Sequence, residues 1–119
     1  MEYQDLIALA KSTTHVGALE NANATGEATN ASCGDLCRVW VRIVDGSIDA
    51  MRYDAKGCVI SRAAASVLAE ACIGPIGRIG PMGGDEIRKL LSVPVSPLRE
   101  RCLTTALAAL HNALNSYEA

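Results

Sequence analysis

Aromatic bulk is what this sequence most lacks: it has no phenylalanine, one tryptophan and three tyrosines. A core without large rings must close by bringing small side chains together, and nineteen alanines, more than any other residue, are present to do so. An excess of either charge is also missing. Eleven basic against thirteen acidic residues give a formal net charge of −2, which offers no electrostatic footprint for nucleic acid or for an anionic membrane surface. No stretch approaches the ~20 apolar residues of a membrane span. The opening Met1-Glu2-Tyr3-Gln4-Asp5 lacks the basic start, apolar run and cleavage site of a secretory signal. The expectation is a cytoplasmic protein with neither nucleic acid nor membrane among its partners. Tight Cys-x-x-Cys pairs are absent, which removes a zinc-ribbon knuckle and a thioredoxin-like redox pair. With two histidines and no G-x-S-x-G or H-E-x-x-H run, hydrolase chemistry has no support either.

What is present fits one domain spanning residues 1–119, within the commonest domain size. Tyr3 to Lys11 carries Leu6, Ile7, Leu9 and Ala10 at amphipathic helix spacing. From Glu20 to Ser32 the composition is Asn, Ala, Thr, Gly and Glu, which predicts a loop or at most a short edge strand. Cys37, Val39, Val41 and Ile43 alternate with Arg38, Trp40 and Arg42, the period of a strand with one buried face. Asp45-Gly46 supplies a two-residue turn, so Ser47 to Ala55 should return antiparallel. A helix follows from Val59 or Ser61 to Ile73, with Ala64, Ala65, Leu68, Ala69 and Cys72 on one face and Gly74 as its stop.

Residues 74–84 place glycine at every third position, as collagen does, but about three triplets cannot hold a triple helix and a Gly/Pro loop is expected. Asp85 caps a short helix through Leu91. The last helix has Ser96 as N-cap, Pro97 at its first position, and the stripe Leu103, Leu107, Leu110, Leu114 and Tyr117.

Five cysteines in a reducing compartment point to metal ligands, nucleophiles or core filler rather than disulfides. Three fall at element junctions: Cys33 before the first clear strand, Cys58 between the hairpin and its helix, and Cys102 early in the last helix. Helix N-termini favour thiolates, and Arg62, Arg99 and Arg101 add to that field. Spacing alone leaves two readings open, one shared site or three separate buried cysteines. Cys37 and Cys72 sit on apolar faces and are expected to pack. Cys37 could also stand near Asp35 if its strand starts early. His15 reads as a surface histidine and His111 as a solvated helix edge, more than two turns from Cys102. Trp40 shares its face with Arg38 and Arg42, which hints at exposure.

The run Asn30-Ala31-Ser32-Cys33-Gly34-Asp35 resembles the N-P-x-C-G-D signature of the NifU/IscU/SufU family of iron–sulfur cluster assembly proteins. Tyr53-Asp54-Ala55-Lys56-Gly57-Cys58 followed by Ala63-Ala64-Ala65-Ser66, the segment Arg99-Glu100-Arg101-Cys102, and the upstream Gly17-Ala18-Leu19-Glu20-Asn21-Ala22 agree with it. The resemblance covers roughly residues 14–74 and 94–117. It implies an α+β fold, a three-stranded antiparallel sheet covered by helices, with Cys33, Cys58 and Cys102 as thiolate ligands and Asp35 as a carboxylate ligand. Soft thiolates suit iron in a cluster and also zinc, and one oxygen ligand makes a site that releases its cargo.

The implied function is that of a scaffold rather than an enzyme. It would take sulfur as persulfide from a cysteine desulfurase, build a transient two-iron two-sulfur cluster, and pass it to acceptor apo-proteins. The SufU-like branch implies an alternative, a zinc-dependent sulfurtransferase in which Cys102 accepts the persulfide sulfur. Arg101 stands where IscU-type members place His. Val95-Ser96-Pro97-Leu98-Arg99 replaces their chaperone-binding L-P-P-V-K motif, so the sequence gives no basis for a dedicated chaperone. The forty-three residues between Cys58 and Cys102 are too few for the SufU-like insertion, which favours the cluster scaffold.

Overall fold

A computed structural model describes residues 3–31, 34–91 and 100–117 of the chain. Helix α1 (Tyr3–Lys11) precedes three antiparallel strands, β1 (Ala24–Asn30), β2 (Asp35–Val44) and β3 (Ser47–Lys56). Then come α2 (Val59–Ala71), the short β4 (Gly74–Pro75), a 3₁₀ turn (Ile76–Arg78), α3 (Gly84–Leu91) and α4 (Glu100–Ser116). The strands form one sheet in the order β1-β2-β3-β4. The α+β class stands as expected. The three-stranded count is corrected: Gly74 and Pro75 of the Gly/Pro segment pair with Ile48 and Ser47 and add a fourth, two-residue strand. The positive φ of Gly74, 129°, turns the chain from α2 into that pairing.

The hairpin forms as its sequence directs. Asp45 and Gly46 both take positive φ, 53° and 75°, the requirement of a tight turn whose twist matches its strands. Cys37, Val39, Val41 and Ile43 of β2 are buried with Ile48, Met51 and Tyr53 of β3. The opposite face carries half-buried Trp40 beside Arg38, which pairs with Glu27, and Arg42, which pairs with Asp49.

The polar segment ending at Asn30 is an edge strand, one of its two expected forms, and at seven residues it is longer than a short one. Its support comes from elsewhere in the chain. Asn112 and Ser116 of α4 donate side-chain hydrogen bonds to the Glu27 and Thr25 carbonyls, at 2.9 and 3.2 Å. The Asn23 amide exchanges two hydrogen bonds with the Ile43 backbone, at 2.7 and 2.8 Å, and so prolongs the ladder beside a bulge. The edge is thereby covered rather than left open for pairing.

Small residues set the spacing between layers. Ala63, Ala64, Ala65 and Ala69 of α2 and Ala106, Ala109 and Ala113 of α4 are all fully or almost fully buried. Where α4 crosses β1 the approach is closer still, because a Cβ on Gly26 would stand 2.1 Å from the Ala109 carbonyl oxygen and 2.4 Å from the Ala113 nitrogen. Only glycine fits there.

The short α3 differs in detail from its expected cap. Asp85 lies inside the helix and pairs with Arg88. Glu86 reaches back to the Gly83 N–H at 2.8 Å, and that bond holds its carboxyl below the usual range. The expected cap Ser96, with Pro97, lies outside the described residues.

Gly26→Ala is therefore expected to destabilise the protein by about 3 kcal/mol in urea unfolding, since α4 must move off β1 to admit the methyl group. An unchanged midpoint would contradict the close approach.

Candidate metal centre

The site is built where β2 begins and β3 ends. Asn30 pairs with Asp35 across the β1–β2 junction, and Asp35, 2 % exposed, turns its side chain toward the start of α2. Its Oδ1 accepts the Cys58 backbone N–H at 3.1 Å, and its Oδ2 accepts the Asn30 amide at 3.3 Å. This closeness depends on Gly57. Its φ of 129° is a glycine conformation, and a Cβ there would lie 2.1 Å from Asp35 Oδ1.

Cys58 is the N-cap of α2, and its sulfur accepts the Ser61 backbone N–H at 3.4 Å. A thiol in the capping position places its sulfur at the positive end of the helix dipole. Cys102 comes from the first turn of the described part of α4 and is fully buried. One carboxylate oxygen of Asp35 and the sulfurs of Cys58 and Cys102 all lie within 4.8 Å of one another. Two soft thiolate donors and one hard oxygen at that separation form a donor set for zinc or iron. The fourth expected ligand, Cys33, lies outside the described residues.

The remaining cysteines separate cleanly from this group. Cys37 shares the buried face of β2 with Asp35, which the early start of the strand allows, yet it is fully enclosed and burial pushes its thiol up to about 12. Cys72, the C-cap of α2, is equally enclosed, with Met51 Sδ at 3.5 Å, and burial pushes it to about 12 as well. Both are packing groups. His15 pairs with Glu70 at 3.4 Å, near the C-terminal end of α2. With a ~1.5 Å rise per residue, the thirteen residues of α2 put that pair about 20 Å along the helix from Cys58. With Arg52 and Ile73, His15 lines a separate cavity of about 520 Å³. His111 is not simply solvated: its Nε2 meets the Ile79 carbonyl at 2.7 Å and ties the 3₁₀ segment to α4.

Sequence reasoning missed two contributors. Asn30 orients the carboxylate, and Gly57 provides the space for it. A glycine directly before the capping cysteine was the available signal for the second.

An α+β fold that closes two thiols and a carboxylate at the junction of its sheet and helices defines a class of thiolate metal-binding proteins. The chain belongs to the NifU-like N terminal domain family, whose model matches residues 2–119. It is 36 % identical over 105 residues to a bifunctional NifU/MnmA protein of Rubrobacter xylanophilus, covering 87 % of this chain and 22 % of that one. It is 34 % identical over 74 residues to the iron–sulfur cluster assembly scaffold protein IscU of Thermotoga maritima, covering 62 % of this chain and 52 % of that one. The matched stretch thus spans from about a fifth to about half of these relatives' length. Its fold is shared by a Fervidobacterium islandicum protein described as an iron–sulfur cluster assembly scaffold for the SUF system. The TM-score is 0.76 at 23 % identity, covering 92 % and 93 % of the two chains.

The buried thiols carry a pH signature. In the unfolded chain a thiol ionises near 9, whereas Cys37 and Cys72 hold their protons to about 12, so the unfolded state is favoured once its thiols ionise. Stability is expected to be complete below about pH 9 and to fall as pH rises toward 12, by roughly 1.4 kcal/mol per thiol at pH 10. Urea unfolding across that range checks this, and Cys72→Ala should show the shallower decline. In the folded protein neither thiol should react with iodoacetamide at pH 8, as peptide mapping would reveal.

Proposed function

We propose that this chain is an iron–sulfur cluster assembly scaffold that gathers iron and sulfide on Cys33, Asp35, Cys58 and Cys102 and releases the resulting two-iron two-sulfur cluster to acceptor apo-proteins. The observation that carries the reading is the meeting of Asp35, Cys58 and Cys102 within 4.8 Å. These residues stand far apart in sequence, and three separate elements must converge to bring them together. Cys33 stands two residues before Asp35 in the chain, which limits its Cα to about 7 Å from that of Asp35. The proposal takes Cys33 as the fourth ligand on the strength of the motif it shares with Asp35.

The donor set suits a passing cargo. Thiolates bind iron firmly, and the carboxylate is the harder, weaker ligand for a sulfur-rich cluster, so it is the bond that yields first. Asp35 also holds the Cys58 N–H and accepts from Asn30, which keeps the carboxylate oriented between ligand and structural roles. The sulfur donor in this reading is a cysteine desulfurase, whose persulfide sulfur becomes cluster sulfide on taking two electrons from an external thiol or electron-transfer reductant. The resemblance of the motifs and the relatives named for cluster assembly support it.

The same residues would serve a zinc-dependent sulfur-transfer protein with Cys102 as the acceptor thiol. The forty-three residues between Cys58 and Cys102, too few for the SufU-like insertion, disfavour that course.

Anaerobic reconstitution with iron and sulfide distinguishes the two. The scaffold should develop visible sulfide-to-iron absorption, which Cys58→Ala abolishes. Stoichiometric zinc, a sulfurated Cys102 and no cluster would overturn the proposal. Asp35→Asn keeps an oxygen for the Cys58 N–H but removes the charge, and it is expected to weaken metal binding by ~10-fold or more. Gly57→Ala should lose metal binding together with stability, because its methyl group displaces Asp35.

A further inference from the structure

The first turn of α2 holds two buried side-chain polar atoms without a partner among the described residues, Ser61 Oγ and Arg62 Nε, and of these the hydroxyl stands nearer in the chain to Cys58. Ser61 is 1 % exposed, and its Oγ has no hydrogen-bond partner among the described residues. A buried hydroxyl without a partner forfeits its hydration for nothing, so its presence in a native structure calls for a group that engages it. A helical serine ordinarily turns to a carbonyl one turn back. That bond is not made here, and the Cys58 carbonyl accepts the Arg62 N–H at 3.2 Å instead.

The surroundings identify the group. Ser61 stands three residues after Cys58 and so on the same side of the turn. Its own backbone N–H already donates to Cys58 Sγ at 3.4 Å. The hydroxyl is three bonds from that nitrogen, and the single torsion χ1 sets which of its staggered positions it takes. A metal-bound thiolate keeps lone pairs that accept hydrogen bonds, and outer donors of this kind set the electron density left for the metal.

We infer that Ser61 is a positioning residue of the metal centre, whose hydroxyl donates a second hydrogen bond to the Cys58 sulfur when that thiolate carries metal. The inference rests on Asp35, Cys58 and Cys102 being ligands. It holds equally for iron or zinc, since it concerns the sulfur and not the metal. Metal binding then gives the orphaned hydroxyl its partner, and part of the affinity derives from this.

Cobalt(II), whose thiolate charge-transfer band reports on the sulfur, is the probe, with the parent and Ser61→Ala compared. Without metal, Ser61→Ala should unfold in urea at the parent's midpoint or later, because the lost hydroxyl bonded to nothing. With cobalt it should bind ~10-fold more weakly, and its charge-transfer band should move to lower energy as the sulfur loses a donor. An unchanged affinity and band would overturn the inference, and so would a metal-free protein destabilised by the substitution, which would assign the hydroxyl a structural bond. A parent that binds no cobalt would overturn the ligand set and this inference with it. A parent that shows the Ser61 dependence yet assembles no iron–sulfur cluster would overturn the proposed function alone.

Discussion

The bond from the Cys58 backbone N–H to Asp35 Oδ1 is the constraint on which the site depends. It fastens the exit of β3 to the entry of β2 at 3.1 Å, and it does so only because Gly57 has no side chain. With the carboxylate and the first thiol fixed relative to each other, α4 needs only to dock for Cys102 to complete the group. A metal site assembled from separate elements usually suffers from their independent motion. Here two of the candidate donors, Asp35 and Cys58, are joined by one hydrogen bond, which reduces that freedom.

The docking of α4 rests on the same economy of volume. Gly26 lets the helix backbone reach β1, and buried alanines on α2 and α4 keep both helices near the sheet. The absence of phenylalanine is thus part of the design of the core. Large rings between these layers would hold them apart and carry Cys102 away from Cys58. The two packing thiols fit this account, since Cys37 and Cys72 fill volumes of alanine-like size and keep their protons.

Much of the scaffold was legible in the sequence. The alternation from Cys37 to Ile43, the Asp45-Gly46 turn and the stripe of α4 each state a period that the structure follows. Strand β1 was not legible because its residues carry little β propensity, and its partners, Asn112 and Ser116, lie some ninety positions away. Pro75 concealed β4 for a similar reason, as a residue without an N–H reads as a breaker until a neighbouring edge requires only its carbonyl. For the site, spacing left a shared centre and three isolated cysteines equally open. Family motifs were needed to choose between them; the structure brings Asp35, Cys58 and Cys102 within 4.8 Å of one another, while Cys33 lies outside the described residues. The contribution of Gly57 became visible only as a distance to Asp35.

The dual position of α4 also bears on how the chain is made. The helix that covers β1 is the helix that brings Cys102, so Asp35 and Cys58 meet that third candidate donor only after α4 has been made and docked. A product cut short ahead of α4 lacks Cys102 and the helix that covers β1. On the proposed reading, the docking of α4 is thus the step that both closes the β1 edge and makes the site able to take a metal.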